Sequence, residues 1–462
     1  MQARRWLTAG AVVAISSSMW AGSVVAQEPA AGVPATPTGY AELDQALGAD
    51  KPLAGKRVTV QNQWIEGEGV NFRASLAPFE AATGIDVAVA EVPSGLHETT
   101  VKATIDGGSP ADIIQLAQPS ALQGYGADGK LVDLATVLDP AKLQADYPAT
   151  IGLYSSGDSV WGLPYKVDVK SVVWYPIKAF EAKGYKVPTT WDELVALSDQ
   201  IVADGSSPWC VGIESGAATG WIITDWIEDV MLRTAGVEKY NQWAAGELPF
   251  NSPEVKRAFD LVGQMLFTDG YVIGGPTAIL ATWQGDAMDP MFTDGTLDNP
   301  ACWMQKQAPW YGPDFFPDAK ASPDKTSQFV VGEDVGLFYF PAIDEAMGTP
   351  ALGSGDALMM TNDRPEVRAV MQYLSMPEGI KAWVDAGSAL SANQSTPADW
   401  YTGYKLQVAN DIVANATGFG FDASDVMPRS GADFWAGTID WIENNGENTE
   451  AVLQAIDDAM KQ

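Results

Sequence analysis

Two glutamates alternate with glycines behind a tryptophan in the run Trp64-Ile65-Glu66-Gly67-Glu68-Gly69. Carboxylates accept hydrogen bonds from hydroxyl groups, and an indole offers a flat apolar face. Together they suit a polyhydroxylated ligand, and Glu66 ranks ahead of Glu68 as the contacting acid. Closely spaced acids are also the equipment of glycoside hydrolysis, provided they flank the scissile bond at the right separation. The sequence carries the acids but not that separation. An exported glycosidase using Glu66 and Glu68 therefore stands beside a binding site, and a capped, solvated loop stands beside both.

The same combination of aromatic, acid and small residue recurs along the chain. Core packing accounts for most of the 17 Trp, 14 Tyr and 15 Phe. Several tryptophans nevertheless sit beside Gly, Pro or an acid: Trp221 after Gly220, Trp283 before Gly285-Asp286, Trp310 between Pro309 and Tyr311-Gly312, and Trp435 after Asp433-Phe434. A pyranose needs this pairing, because its C–H face lies on a ring while its hydroxyls bond to carboxylates and amides. Asp168 stands in an extended run of β-branched and aromatic residues with Lys170 two places on, where a cleft-facing carboxylate and an ion pair with Lys170 are the two readings. Gly353-Ser354-Gly355-Asp356 combines small residues that let backbone approach a ligand with one acid.

Charge and composition exclude several partners. The formal charge is −32. Such a surface repels nucleic-acid phosphates and anionic lipid. With one histidine, His97, and no Cys/His cluster, neither a transition metal nor a cofactor is expected. There is no EF-hand loop, although carboxylate-bound calcium stays open. Acids and aromatics would also serve a polyamine, so a non-sugar ligand of that kind is a further reading.

These residues need elements to hold them. Residues 58–60 open a first strand, residues 70–83 form a helix with Phe72, Leu76 and Phe79 on one face, and Ile85, Val87 and Val89 alternate as a second strand. A helix over 96–105 and a strand over 112–116 follow, which predicts a largely parallel α/β sheet. Trp64 to Gly69 and Gln118 then fall at strand C-termini, where such sheets place ligands. Further on, Thr190 and Glu193 form a capping box before the stripe Leu194, Leu197 and Ile201. Helices are expected over 221–232, over 364–374 and from Asp433 through Ile442.

The block GLPYKVDVKSVVWYPIKAFEAKGYKVPTTWDE, residues 162–193, closely resembles the crossover between lobes in sugar-binding proteins of ABC importers. ATGIDV, GGSPADII and GKLVDL resemble the first lobe of that family. TGWIITDWIED, NDRPEVRAV and FGFDASDVMP bring the likeness to the α-glucoside-binding members, over about residues 56–460. The resemblance implies an α/β fold of two interleaved lobes joined by a hinge, like that of maltose-binding proteins. Lobe one would comprise residues 56–165 and 328–390, and lobe two residues 166–327 and 391–462. It implies that Asp168 is the cleft carboxylate, that the Gln118 loop reaches the ligand, and that Trp310 and Trp435 stack on the sugar. Trp64, Glu66, Glu68, Trp221, Gly353 and Asp356 complete the expected ligand-binding set. The implied partners are a small-molecule sugar, an α-glucoside, and the permease subunits in the inner membrane. A monomer is expected, and no catalysis.

The ends of the chain set the compartment. Arg4-Arg5, an apolar stretch to Ile15 and the small residues up to Val24-Val25-Ala26 read as a signal peptide over residues 1–26. An export signal without a cysteine for a lipid anchor points to the periplasm of a Gram-negative bacterium. Residues 27–55 form an Ala/Pro-rich extension expected to be partly disordered up to about Tyr40. Two cysteines in an exported chain, Cys210 and Cys302, are expected to form one disulfide within one lobe.

Overall fold

The computed structural model describes residues 32–323, 325–427 and 431–461. The expected signal peptide and residues 27–31 lie outside this range. From Gly32 onward the extension is ordered, contrary to the sequence expectation. Tyr373 Oη donates to the Gly32 carbonyl at 2.9 Å, Thr38 and Tyr40 are buried, and the helix Ala41–Leu47 packs Leu43 and Ala46 onto the helix Pro365–Leu374. Two small apolar side chains three residues apart are enough to seat this short helix on an existing core.

Two sheets organise the chain. The first has seven strands: β1 (Arg57–Asn62), β2 (Asp86–Glu91), β3 (Ile113–Leu116), β4 (Leu163–Val169), β9 (Ala351–Met360), β10 (Leu390–Ser391) and β11 (Phe419–Phe421). Its order is β10-β4-β9-β3-β1-β2, with β11 also on β9. The second has four strands in the order β8-β5-β7-β6: β5 (Val172–Pro176), β6 (Ser207–Trp209), β7 (Cys302–Lys306) and β8 (Val335–Tyr339). β1 is parallel to β2 and β3, as the strand–helix alternation predicts, but β9 runs antiparallel to β3 and β4. The first sheet is therefore mixed, because the strand returning from the second lobe enters it from the opposite end.

Each lobe has its own core. Val58, Phe72, Phe79, Val367 and Trp383 anchor one cluster, and Leu194, Trp226, Phe259, Met304 and Trp441 another. The chain changes sheets at Lys170-Ser171, after β4, and not at residue 166. It is still in the second sheet at β8, so the return falls between Tyr339 and Ala351 and not at residue 328. The C-terminal segment likewise adds β11 to the first sheet before it joins the second lobe's helices.

Most helices agree with the periodicity, and the boundary differences have local causes. The helix expected from residue 70 begins at Glu66. Its first turn is Glu-Gly-Glu-Gly, which reads as a loop, yet acids are favourable against the helix N-terminal dipole. The helix Trp221–Ala244 runs past residue 232 and contains non-helical backbone at Gly236, φ 81°. The capping box is present: Thr190 Oγ1 accepts from the Glu193 amide and Glu193 Oε2 from the Thr190 amide, both at 3.3 Å. Cys210 and Cys302 are bonded, with Cα atoms 5.3 Å apart, and tie the end of β6 to the start of β7. Among the described residues no helix is long and apolar enough to cross a membrane.

Candidate functional site between the lobes

A cavity of about 360 Å³ opens between the two sheets, within the range of small-molecule sites. The first lobe supplies strand ends to its wall: Gln63 and Trp64 after β1, Ser94 to Leu96 after β2, and Ala117 and Gln118 after β3. β4 and β9 supply its floor. Their register sets Lys166 opposite Asp356 and Asp168 opposite Ser354, and alternation along each strand points all four into the cavity. The second lobe supplies the half-buried rings of Trp221, Trp283 and Trp310, with Phe315 and Trp435. Trp221 and Trp310 lie 6.2 Å apart, and Trp310 and Phe315 5.5 Å apart, as a continuous aromatic wall.

Two buried lysines organise the acids. Lys166 Nζ lies 2.7 Å from Glu68, 3.1 Å from Asp168 and 3.5 Å from Asp356. Asp356 also accepts from Trp64 Nε1 at 3.1 Å and Gln115 Nε2 at 2.7 Å, which fixes it as a support. Burial works against the Lys166 ammonium, but Asp168, Glu68 and Asp356 hold it well above the usual lysine range. Burial pushes the Glu68 carboxyl up to about 7 against the pull of Lys166. Burial, with the Asp356 and Asp168 charges nearby, thus favours a proton on Glu68 near neutrality.

The second lysine, Lys170, contacts Asp225 at 2.7 Å and Asp422, beneath the Trp221 ring 5.2 Å away. Oxygens of Asp225, Glu228 and Asp422 lie within 4.8 Å of one another, a metal-like spacing. The Lys170 ammonium already lies on two of these acids and supplies the cation there. Gln118 Nε2 donates to Asp425 Oδ1 at 3.1 Å, joining the lobes, and burial with Asp422 nearby holds Asp425 well above the usual carboxylate range. Glu98 faces the cavity from the helix Ser94–Asp106, and burial pushes it up to about 7.

The sequence-derived candidates separate clearly. Glu68, Gln118, Asp168, Trp221, Trp310, Asp356 and Trp435 all line the cavity, as does Trp283. Trp64 also reaches it, but as a core ring 1% exposed between Phe72 and Trp383, not as an exposed platform. Glu66 does not line it. Its side chain turns outward towards Lys325 at 3.7 Å, because positions two apart on a helix, such as Glu66 and Glu68, diverge by about 200°. The order of the two glutamates is thus reversed, and the pair does not flank one substrate. Gly353 is also displaced from the cavity: the Phe419 ring covers it, and a Cβ there would lie 2.0 Å from that ring. Asp168 pairs with Lys166 and not Lys170, since β4 ends at Val169 and Lys170 turns into the second lobe.

Sequence reading passed over Lys166, Glu98, Asp422, Asp425 and the two rims, and considered Lys170 only as a partner for Asp168. The rim of Ser94 to Leu96 follows a strand as the other first-lobe loops do, so the strand-end rule could have found it. Across the opening, Ser94 Oγ lies 3.3 Å from Ser215 Oγ, and a Cβ at Gly95 would stand 2.6 Å from the Ser215 carbonyl.

Comparison with known proteins agrees with this architecture. Residues 74–408 match the family model of the bacterial extracellular solute-binding proteins. The chain is 35% identical over 405 residues to the osmoprotective compounds-binding protein GgtB of Synechocystis sp., covering 87% of this chain and 92% of that one. It is 36% identical over 404 residues to the alpha-glucosides-binding periplasmic protein AglE of Rhizobium meliloti, covering 84% of each. Among solved structures, the solute receptor AcbH, described with a preference for β-D-galactopyranose, superposes with a TM-score of 0.72 at 19% identity over 88% of this chain and 99% of that one. Maltose-bound MalE3 of T. maritima superposes with a TM-score of 0.65 at 16% identity over 88% and 99%. The fold is the two-lobed one of maltose-binding-protein-like receptors, and the chain belongs to the bacterial extracellular solute-binding proteins.

Proposed function

We propose that this protein is the substrate-binding component of an ABC importer, which captures an α-glucoside between its lobes and delivers it to an inner-membrane permease. One observation carries the reading: half-buried tryptophans of the second lobe face lysine-organised carboxylates of the first across a single cavity. The rings suit the apolar face of a pyranose, and Asp168, Glu68 and Glu98 suit its hydroxyls. Of the two relatives described above, the one named for alpha-glucosides supports this ligand class, while the other is named for osmoprotective compounds. Residues 1–26 act as a signal peptide cleaved near Ala26, and the mature protein works as a monomer in the periplasm. Gln118 and Trp435 join Asp168, Trp221 and Trp310 as direct ligand contacts, with the lobes meeting at the chain crossings.

Affinity is set near micromolar, about −8 kcal/mol, because slower release would hinder hand-over to the permease. Titration calorimetry of the mature protein against maltose, trehalose, sucrose, a longer maltodextrin and spermidine tests the reading, with product analysis of the same samples. Micromolar binding of an α-glucoside recovered intact is the expected result. Hydrolysis would make the protein an enzyme, and binding of spermidine alone would replace the sugar by a polyamine.

A further inference from the structure

Where the chain re-enters the second lobe after β11, the residues from Asp422 to Asp425 lie against two elements at once. Behind them stands the helix Trp221–Ala244. Its Glu228 accepts from the Ala423 and Ser424 amides at 2.9 and 3.0 Å, and from the Tyr240 hydroxyl at 3.1 Å. In front stands the first lobe's helix Pro119–Ala127 with its cap. Gln118 Nε2 donates to Asp425 Oδ1 at 3.1 Å, and Ser120 Oγ donates to the Asp425 carbonyl at 3.1 Å. Both bonds pass from one lobe to the other, and with the lobes in contact Asp425 is 5% exposed.

The charges around Asp425 do not balance. Asp225, Glu228, Asp422 and Asp425 are buried together, and Lys170, the cation among them, pairs with Asp225 and Asp422. The neighbouring Lys306 and Arg233 are both engaged by Asp229, Lys306 at 3.1 Å. Asp422 also accepts from the Ser424 hydroxyl at 2.8 Å and from the Asp425 amide at 3.1 Å. The remaining neighbours carry no charge: Tyr154 is a buried phenol, and the helix Ala432–Glu443 brings Trp435 onto Ser424 at 3.0 Å. Among the described residues, then, Asp425 has no cation within ion-pair distance and one neutral donor, Gln118, on its carboxylate. Burial and the Asp422 charge push its carboxyl well above the usual range. Once the lobes part and water reaches it, the first of these causes is gone.

We infer that the Gln118–Asp425 contact is a proton-dependent latch: the lobes close with uptake of one proton from the solvent by Asp425 and part when it is released. A neutral carboxyl accepts from Gln118 through Oδ1 and sets no uncompensated charge beside Asp422. The ionised form is better served by water in the open arrangement. Protonation and closure therefore favour each other reciprocally. Asp425 is a positioning residue in this scheme, acting on the ligand through Gln118 and through closure, so the ligand binds tighter as pH falls. The inference goes beyond the sugar-binding reading, which supplies a probe with no ionisable group of its own. Any proton taken up then goes to the protein.

Calorimetry with maltose, trehalose or sucrose, whichever binds tightest, in phosphate and in Tris at the same pH reads the proton number from the difference in heat. At pH 7 about half a proton or more should enter with the ligand, and affinity should be at least tenfold higher at pH 5.5 than at pH 7.5. Asp425→Asn keeps the shape and cannot ionise. It should lower the uptake by about half a proton and reduce the pH dependence of affinity at least threefold, with Glu68 and Glu98 as a background common to both proteins. Asp425→Ser makes the same comparison if the asparagine variant does not fold. No uptake in the wild type overturns the inference, as does a pH profile unchanged in the variants, which would leave Asp425 as a ligand contact or a packing group. Silence towards every sugar overturns the proposed function instead, and small-angle scattering of the ligand-free protein then decides the latch. The wild type should compact between pH 7.5 and 5.5 while Asp425→Asn does not, and equal behaviour of the two overturns it.

Discussion

At the scale of single residues, two side chains make separate predictions. Asp168 sits in the cavity floor with Lys166 as its ion-pair partner, and Lys166 keeps Glu68 and Asp356 when Asp168 is removed. Loss of Asp168 therefore does not strand a buried cation, and its effect falls on the ligand. Asp168→Ala and Trp435→Ala are each expected to cost at least about 2 kcal/mol of binding, as central groups of an interface do. Titration of both variants with the tightest ligand checks this, and losses below about 0.5 kcal/mol in both would remove them from the site. His97 concerns stability. Its Nε2 is 2.7 Å from the Gln115 carbonyl, its Nδ1 is buried without a partner among the described residues, and burial lowers its pKa to about 4 from 6.5. The neutral ring is the folded form, so its contribution is full above pH 6.5 and is lost as pH falls towards 4. Glu68 and Glu98, raised to about 7, work in the opposite sense, since their contribution is full below pH 4.5 and is lost as pH rises to 7. Comparison with His97→Gln cancels that background. The stability gap between wild type and variant should shift by about 2–3 kcal/mol in the variant's favour between pH 7.5 and 4.5, read from thermal or urea unfolding. Parallel pH profiles would show that His97 does not titrate in this window.

At the scale of elements, the rims decide closure. The start of the helix Ser94–Asp106 meets the turn Gly216–Ala218 across the cavity mouth, and glycines stand on both sides. Gly216 has φ +56°, and its own Cβ would lie 2.7 Å from the Gly95 carbonyl. Backbone approach this close leaves no room for a side chain. Gly95→Val should hold the lobes apart, weaken ligand binding at least tenfold and leave the melting temperature of the ligand-free protein within about 2 °C, because the rim lies outside both hydrophobic cores. Calorimetry and scattering with and without ligand read this out, and unchanged affinity would mean that the ligand-bound form does not bring these rims together. What the sequence revealed of these elements follows their physics. Strand–helix alternation and the stripes on the helices at 191 and 365 were legible because apolar periodicity records which face is buried. The sheet crossings at Lys170 and after Tyr339 were not legible, because strands entering either sheet look alike when both faces of each are covered. Asp168, Trp221, Trp310 and Trp435 stood out as polar or aromatic residues in the wrong neighbourhood. Lys166 and Lys405 did not, since most of the acids that face them, Glu68 and Asp356 for one and Asp314 for the other, lie some ninety or more residues away in the chain.

At the scale of the whole molecule, each lobe must stay rigid while the pair moves, and the disulfide is placed for the first requirement only. Cys210 and Cys302 are 92 residues apart in sequence, yet both lie at the β6–β7 pair inside the second sheet, and the bond crosses no boundary between the sheets. They belong to a buried cluster with Trp174, Met288 and Phe316 that also takes in Val169, Val172 and Ala351. A cross-link confined to one body adds stability to that body without entering the free-energy difference between open and closed arrangements. The chain-entropy model assigns a loop of this length about 4–5 kcal/mol, an upper figure since residual order in the unfolded chain reduces it. The variant carrying Cys210→Ser and Cys302→Ser should therefore lose a few kcal/mol in urea unfolding, with the loss concentrated in the second lobe if the lobes unfold in separate steps. Its ligand affinity should stay within threefold of wild type at a temperature where it remains folded. A large loss of affinity in a folded, disulfide-free protein would mean that the second sheet's aromatic wall depends on the cross-link for its position, and that the bond belongs to the binding apparatus as well as to the scaffold.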